Sequence, residues 1–266
     1  MQYRLLAADL DGTLVDETTV FTARVKEAVR RVQEKGVHFT IATGRTFQAT
    51  LPFARELAVL SPLICHQGGL IKDPLSGQVL FRRAIPLPLA REVIGFAEKK
   101  DLALTLFLDD EAYVSHLRPE AEEFIRLNSP PLQPVGDLEA FLNEEPTKFM
   151  ILCPDGEATE RLLPEVQNLF APKMKVVRSH PNFIELTPPD VSKGAALAWL
   201  AAYLRVSREE TMAIGDQDND VEMVAWAGLG VAMGNATNAV LAAADYVAPP
   251  VWEDGAAFAI EKFILT

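Results

Sequence analysis

Short apolar runs without polar alternation recur along the chain, and several stop abruptly at polar or acidic residues. The first, from Tyr3, runs through Leu5-Leu6-Ala7-Ala8 into Asp9-Leu10-Asp11-Gly12. A strand apolar on both faces suits the middle of a parallel sheet, where helices cover both sides. Asp9 and Asp11 share parity, so an ideal strand would turn both carboxylates to one face, and Gly12 permits a sharp turn away. A solvated Asp-Gly turn is the plainer reading of the same residues. Next, Thr22 suits the cap of a helix whose Val25, Ala28, Val29 and Val32 share one face, ended by Lys35-Gly36. A second strand, Val37 to Ala42, runs into Thr43-Gly44-Arg45 and a helix from about Thr46 to Val59. Pro62 to His66 gives a third strand, followed by Gln67-Gly68-Gly69 and a hairpin pairing Leu70-Ile71-Lys72 with Val79-Leu80-Phe81.

The character then changes. Between about Arg83 and Pro189 the pattern predicts a helix (89–100), strands (102–108, 112–116), a proline-rich passage around Pro130, Pro131 and Pro134, a strand (148–153), a helix (157–170) and two more strands (174–179, 182–187). Paired strands followed by helices read as α+β with an antiparallel sheet. Pro86 and Pro88 at one edge and Pro188-Pro189 at the other suit linkers. Beyond them the first pattern resumes: a helix from Ser192 to Leu204, then strand Thr211 to Gly215, which exits into Asp216-Gln217-Asp218-Asn219-Asp220. Further strands at Gly230–Met233 and Tyr246-Val247 and a last helix from Gly255 complete it. The expected organisation is a doubly wound α/β parallel-sheet core, 1–82 and 190–266, split around an inserted α+β domain, 83–189.

With 266 residues, 49% of them hydrophobic, the chain can build its core without disulfides or structural metals. The formal net charge of −12 argues against a nucleic-acid surface, so an anionic substrate would need a local cation. Cys65 and Cys153 lack metal-ligand spacing and read as reduced core residues. No stretch approaches the length of a membrane span, and the N-terminus enters a strand without a leader pattern, so a cytoplasmic location is expected.

In doubly wound sheets, ligands bind outside the carboxyl ends of the strands. That rule gathers Asp9, Asp11, Thr43, Asp216, Asn219 and Asp220 in one cleft, where so many carboxylates would repel one another. A hard divalent cation resolves the conflict, and oxygen-only ligands favour Mg2+ over zinc. Lys193 supplies a second local cation. A basic residue in a helix's first turn opposes the macrodipole and is better explained by a nearby anion.

Asp9-Leu10-Asp11-Gly12-Thr13, Thr43-Gly44-Arg45, Ser192-Lys193-Gly194 and Gly215-Asp216-Gln217-Asp218-Asn219-Asp220 resemble the ordered motifs of the haloacid dehalogenase superfamily. With the insertion between the second and third motifs, the chain is similar to the Cof-type phosphatases, whose α/β cap sits there. The resemblance implies that Asp9 is the nucleophile and forms an aspartyl-phosphate, and that Asp11 is the general acid and then the base. It also implies that Thr43 and Gly44 bind phosphate, that Asn219 hydrogen-bonds the phosphate or Asp9, and that Lys193 neutralises the equatorial oxygens. Mg2+ would be held by Asp9, the main-chain carbonyl of Asp11 and Asp216, with Asp220 orienting Lys193 or a metal-bound water. Arg45 either reaches substrate or pairs with a surface acid. Asp218 reads as a solvent-facing or loop-fixing acceptor, and the Asp109-Asp110-Glu111 run as a solvated turn. Related sequences tend to carry Asn-Gly-Ala where this chain has Gln67-Gly68-Gly69, which leaves the phosphate chemistry intact but puts a substrate-side contact in doubt.

The expected activity is hydrolysis of small phosphorylated metabolites, sugar phosphates above all, with the insertion closing as a cap over the substrate. A phosphomutase using the same aspartyl-phosphate is the enzymatic rival, and a catalytically idle metabolite-binding protein the rival from another class. Oligomeric state is open.

Overall fold

The computed structural model describes residues 3–121, 124 and 131–266, so Pro130 of the proline-rich passage lies outside the described residues. The chain divides into two compact units. One comprises residues up to Gly44, Thr50–Phe81 and Ser192–Thr266; the other comprises Arg45–Ala49 and Arg82–Val191.

In the first unit, β1 (Leu5–Ala8) lies between β2 (His38–Ile41) and β12 (Thr211–Gly215), and β13 (Leu229–Ala232) and β14 (Tyr246–Val247) extend the sheet beyond β12. Every pair in this sheet is parallel, with Ala8 opposite both Ile41 and Ile214. All residues of β1 and β12 are buried, as apolar runs without alternation require when both faces are covered. The chain leaves β1 for β2 on one side and returns through β12 on the other, so β1 and β12 flank the point where strand order reverses. Ligands of such sheets bind outside that point.

Local chemistry sets the flanking helices. The Thr22 side chain accepts from Val25 N–H and caps helix Ala23–Glu34, whose Val25, Ala28, Val29 and Val32 are its buried stripe. Ser192 caps helix Lys193–Tyr203 by accepting from Ala195 N–H at 3.1 Å. Both faces of that helix are largely apolar, and Lys193 is buried with Gly194, Ala196, Leu197, Leu200 and Ala201.

The third strand departs from the expected pattern. β3 (Leu63–Cys65) pairs antiparallel with β4 (Leu70–Lys72) in a separate sheet completed by β5 (Val79–Arg82), and meets the end of β2 through a single parallel bridge, Ala42 to Ile64. Three residues are too few to commit a strand to the larger sheet, and the adjacent turn returns β4 onto it.

The second unit carries a six-stranded sheet in the order β10 (Lys175–His180), β11 (Phe183–Thr187), β9 (Lys148–Leu152), β6 (Ala103–Leu108), β7 (Glu111–Val114), β8 (Leu132–Pro134). Its pairs are antiparallel except β7 with β8. Leu104, Leu106, Phe149, Ile151, Ile184 and Leu186 form one face and pack with Val93, Ile94, Val166 and Phe170 of helices Leu87–Lys99 and Gly156–Phe170. The alternate residues Ala103, Phe107, Met150, Leu152 and Phe183 cluster on the other. Asp109-Asp110 does turn β6 into β7, but Asp110 is buried rather than solvated: it accepts from the Phe47 N–H of the same unit at 3.0 Å. Among the described residues no helix is long and apolar enough to cross a membrane.

Candidate active site

Asp9 is the first residue beyond β1, and its N–H still donates to Ile214 O at 3.0 Å, so the ladder with β12 fixes its backbone. The chain then turns tightly: Gly12 N–H donates to Val15 O, and both Leu14 and Val15 N–H donate to Leu10 O. β1 has ended before this turn, so strand parity no longer links the two acids. Asp9 is buried and Asp11 exposed. Gly12 has φ +83°, and a Cβ there would lie 2.3 Å from Asp216 Oδ2. Only glycine serves at this point, where the β1 loop presses against the β12 loop.

β12 delivers Asp216 and Asp220. Asp216 accepts from Thr13 Oγ1 at 2.8 Å and from Gln217 Nε2 at 2.9 Å. Asp220 Oδ2 accepts from the N–H groups of Asp216 and Gln217, and Oδ1 accepts from Lys193 Nζ at 2.7 Å. The same ammonium donates to Asp9 Oδ1 at 2.7 Å. Lys193 is 1% exposed and Asp220 fully buried, so this contact differs in kind from the solvated ion pairs of the surface.

Asp9, Asp216 and Asp220 each offer a carboxylate oxygen within 4.8 Å of the others. Three carboxylates against one ammonium leave an excess of negative charge in a buried place. Burial pushes the Asp9 carboxyl well above its ordinary range, and Asp220 and Asp216 push it further while Lys193 opposes them. Burial likewise pushes Asp216 up to about 6, against the hydrogen bonds from Gln217 and Thr13. Burial alone would lower Lys193, yet Asp220 and Asp9 hold it above the ordinary lysine range. A divalent cation would relieve this excess, and the all-oxygen donor set fits a hard one. Asp9, Asp216 and Asp220 are the side chains placed to hold it; Asp220 is the one of the three whose oxygens also fix Lys193 and two backbone N–H groups, and Asp216 accepts only from the side chains of Thr13 and Gln217.

The Thr43-Gly44 turn joins the same unit. Thr43 is buried; its N–H donates to Ile64 O at 2.9 Å, and its carbonyl accepts from Gln67 N–H at 3.1 Å. Asn219 Nδ2 donates to Gln67 Oε1 at 2.8 Å. Arg45, half-buried, groups with the second unit. Asp218 is exposed and accepts from Thr237 Oγ1.

Three contributors had no expected role. Thr13 orients Asp216; Gln67 touches both Thr43 and Asn219; and Asn235 Nδ2 donates to Gly12 O at 2.9 Å while its Oδ1 accepts from Val251 N–H. Thr13 follows the Asp-Gly pair directly, and Gly234-Asn235 follows an apolar strand, so strand-end position was the available signal for both.

Comparison with known proteins gives a consistent picture. A family model for haloacid dehalogenase-like hydrolases matches residues 6–260. The 5-amino-6-(5-phospho-D-ribitylamino)uracil phosphatase YcsE of Bacillus subtilis is 29% identical over 262 residues, 98% of this chain and 96% of that protein. The crystal structure of a haloacid dehalogenase-like hydrolase from Bacteroides thetaiotaomicron superposes with a TM-score of 0.89 at 30% identity, covering 98% of this chain and 99% of the other. The subclass IIB sugar phosphatase BT4131 does so with a TM-score of 0.83 at 28% identity, covering 98% of each chain.

Proposed function

Because the chain belongs to the haloacid dehalogenase-like hydrolases and is a phosphoric monoester hydrolase of that family, we propose that it hydrolyses small phosphorylated metabolites, sugar phosphates foremost, in a Mg2+-dependent reaction with Asp9 as nucleophile. The observation that carries this reading is the buried arrangement of Lys193 between Asp9 and Asp220, with Asp216 alongside.

Asp9 attacks phosphorus, a P–O bond forms to its carboxylate, and the bond to the leaving alkoxide breaks. Asp11, outside the buried carboxylate group, gives a proton to that alkoxide and then takes one from the water that cleaves the aspartyl-phosphate. Lys193 holds Asp9 Oδ1 and faces the charge on the phosphoryl oxygens, while Asp220 fixes the ammonium from behind. Thr43, the N–H groups of its turn and Asn219 supply donors to the remaining oxygens. Mg2+, held by Asp9, Asp216 and the carbonyl of Asp11, would supply charge neutralisation and polarisation of the phosphoryl group. The names of the two phosphatases above, one for a ribityl phosphate and one for sugars, support a polyol phosphate as substrate.

The test is phosphate release from a panel of sugar, polyol and nucleoside monophosphates with Mg2+ or with chelator. Release confined to the Mg2+ arm and strongest on sugar or polyol phosphates supports the reading. Undiminished release in chelator, or none from any monoester, contradicts it.

A further inference from the structure

The turn after β3 has an unusual backbone. His66 (φ +52°), Gln67 (φ +59°) and Gly68 (φ +99°) are left-handed in succession, a conformation that side-chain-bearing residues rarely hold. The turn is pinned on two sides. A Cβ on Gly68 would lie 2.2 Å from Ser192 O, at the start of the helix that carries Lys193, and Gln67 N–H donates to Thr43 O. The Gln67 amide then lies against Gly44, where a Cβ would come within 2.4 Å of Nε2, and its Oε1 meets Asn219 Nδ2 at 2.8 Å.

One atom in this contact is unsatisfied. Asn219 Oδ1 is buried and has no hydrogen-bond partner among the described residues. An acceptor in that place would repel a phosphoryl oxygen. Exchanging O and N in both amides moves no heavy atom: Gln67 Nε2 then donates to Asn219 Oδ1, and Asn219 Nδ2 becomes the unsatisfied atom. A buried, unsatisfied donor one residue before Asp220, the partner of Lys193, is what an anion binds, so a bound phosphoryl group selects the exchanged form.

We infer that Gln67 is a positioning residue, which holds the Asn219 amide so that Nδ2 is directed to a phosphoryl oxygen and ties it to the Thr43-Gly44 turn. The inference rests on the phosphate-site reading of Asn219 given above. Gln67 touches no reacting atom; it acts through Asn219.

The test measures binding of inorganic phosphate by calorimetry in Mg2+ on folded wild type, Gln67→Met, Gln67→Glu, Asn219→Ala and the Gln67→Met/Asn219→Ala double variant. Gln67→Met should weaken phosphate about tenfold, the scale of one hydrogen bond to a charged group. Gln67→Glu, which can only accept and so fixes the Asn219 amide the wrong way round, should weaken it more. In the Asn219→Ala background Gln67→Met should change affinity by less than about twofold, because coupled residues are non-additive. An unaltered Gln67→Met, or an equal loss with and without Asn219, overturns the positioning role while leaving the phosphatase reading in place. A wild type that releases phosphate from esters in Mg2+ but loses nothing on Asn219→Ala also overturns it. A wild type that neither binds phosphate nor releases it overturns both.

Discussion

The Lys193 ammonium meets the Asp9 carboxylate at 2.7 Å, with both groups buried and a second carboxylate, Asp220, equally close. Substituting Lys193→Met removes the cation from a group of three buried acids. Phosphate release should fall by at least about a hundredfold, the scale of losing one preorganised donor. Steady-state kinetics at saturating Mg2+ checks this, and a variant within about tenfold of wild type would contradict the role given to Lys193.

Burial raises Asp216 from its ordinary 3.8 to about 6, and Asp9 shifts the same way. Across that window the folded protein binds more protons than the unfolded chain. The metal-free protein therefore loses stability from Asp216 as pH rises from about 4 to about 6, and from Asp9 in the same direction. A cation must displace those protons, so Mg2+ should raise the melting temperature more at pH 7 than at pH 5. Thermal melts at both pH values, with and without Mg2+, make the comparison; an equal or larger Mg2+ effect at pH 5 would contradict it.

At Gly12 a side chain is opposed twice, by φ +83° and by the Asp216 carboxylate. Gly12→Ala should displace the turn or Asp216 and weaken Mg2+ activation, whereas Gly77→Ala, also at positive φ but with open space around its Cβ, should cost stability alone. Titrating activity with Mg2+ in both variants separates the two effects.

In the second unit, Lys148 and Glu185 form a buried ion pair at 3.2 Å on the sheet face that also carries Phe107, whose ring centroid is 4.7 Å from the ammonium. Glu185→Leu removes a buried carboxylate that faces the Lys148 charge and should destabilise the protein, by up to about 3–5 kcal/mol, while the double variant Lys148→Met/Glu185→Leu should lose less than the two single losses combined. Urea denaturation of the single and double variants reads the difference.

Much of this site was legible in the sequence because its residues stand at strand exits. Asp9 and Asp216 each follow a buried apolar run, and the reversal of strand order between β1 and β12 brings their carboxylates together. Other features were not legible. Strand parity suggested one face for Asp9 and Asp11, but β1 stops at Ala8 and the Gly12 turn takes over. β3 was read by analogy with its neighbours, although three residues pair wherever the next turn sends them. Arg45 follows Thr43 and Gly44 in the motif yet clusters with the second unit, a division that no local pattern announces. Gln67 touches Asn219 across 152 positions through a left-handed backbone that begins at His66 and Gln67, residue types that do not announce it, before Gly68 continues it.

The central claim is that Asp9 carries the phosphoryl group. Single-turnover reaction with a sugar phosphate in Mg2+, acid-quenched at short times and digested for mass spectrometry, tests it most directly. A phosphoryl adduct should appear on the peptide containing Asp9 in wild type and be absent in Asp9→Asn, which should also release no phosphate. Phosphate release by wild type with no adduct at Asp9, or release by Asp9→Asn at the wild-type rate, would contradict the account.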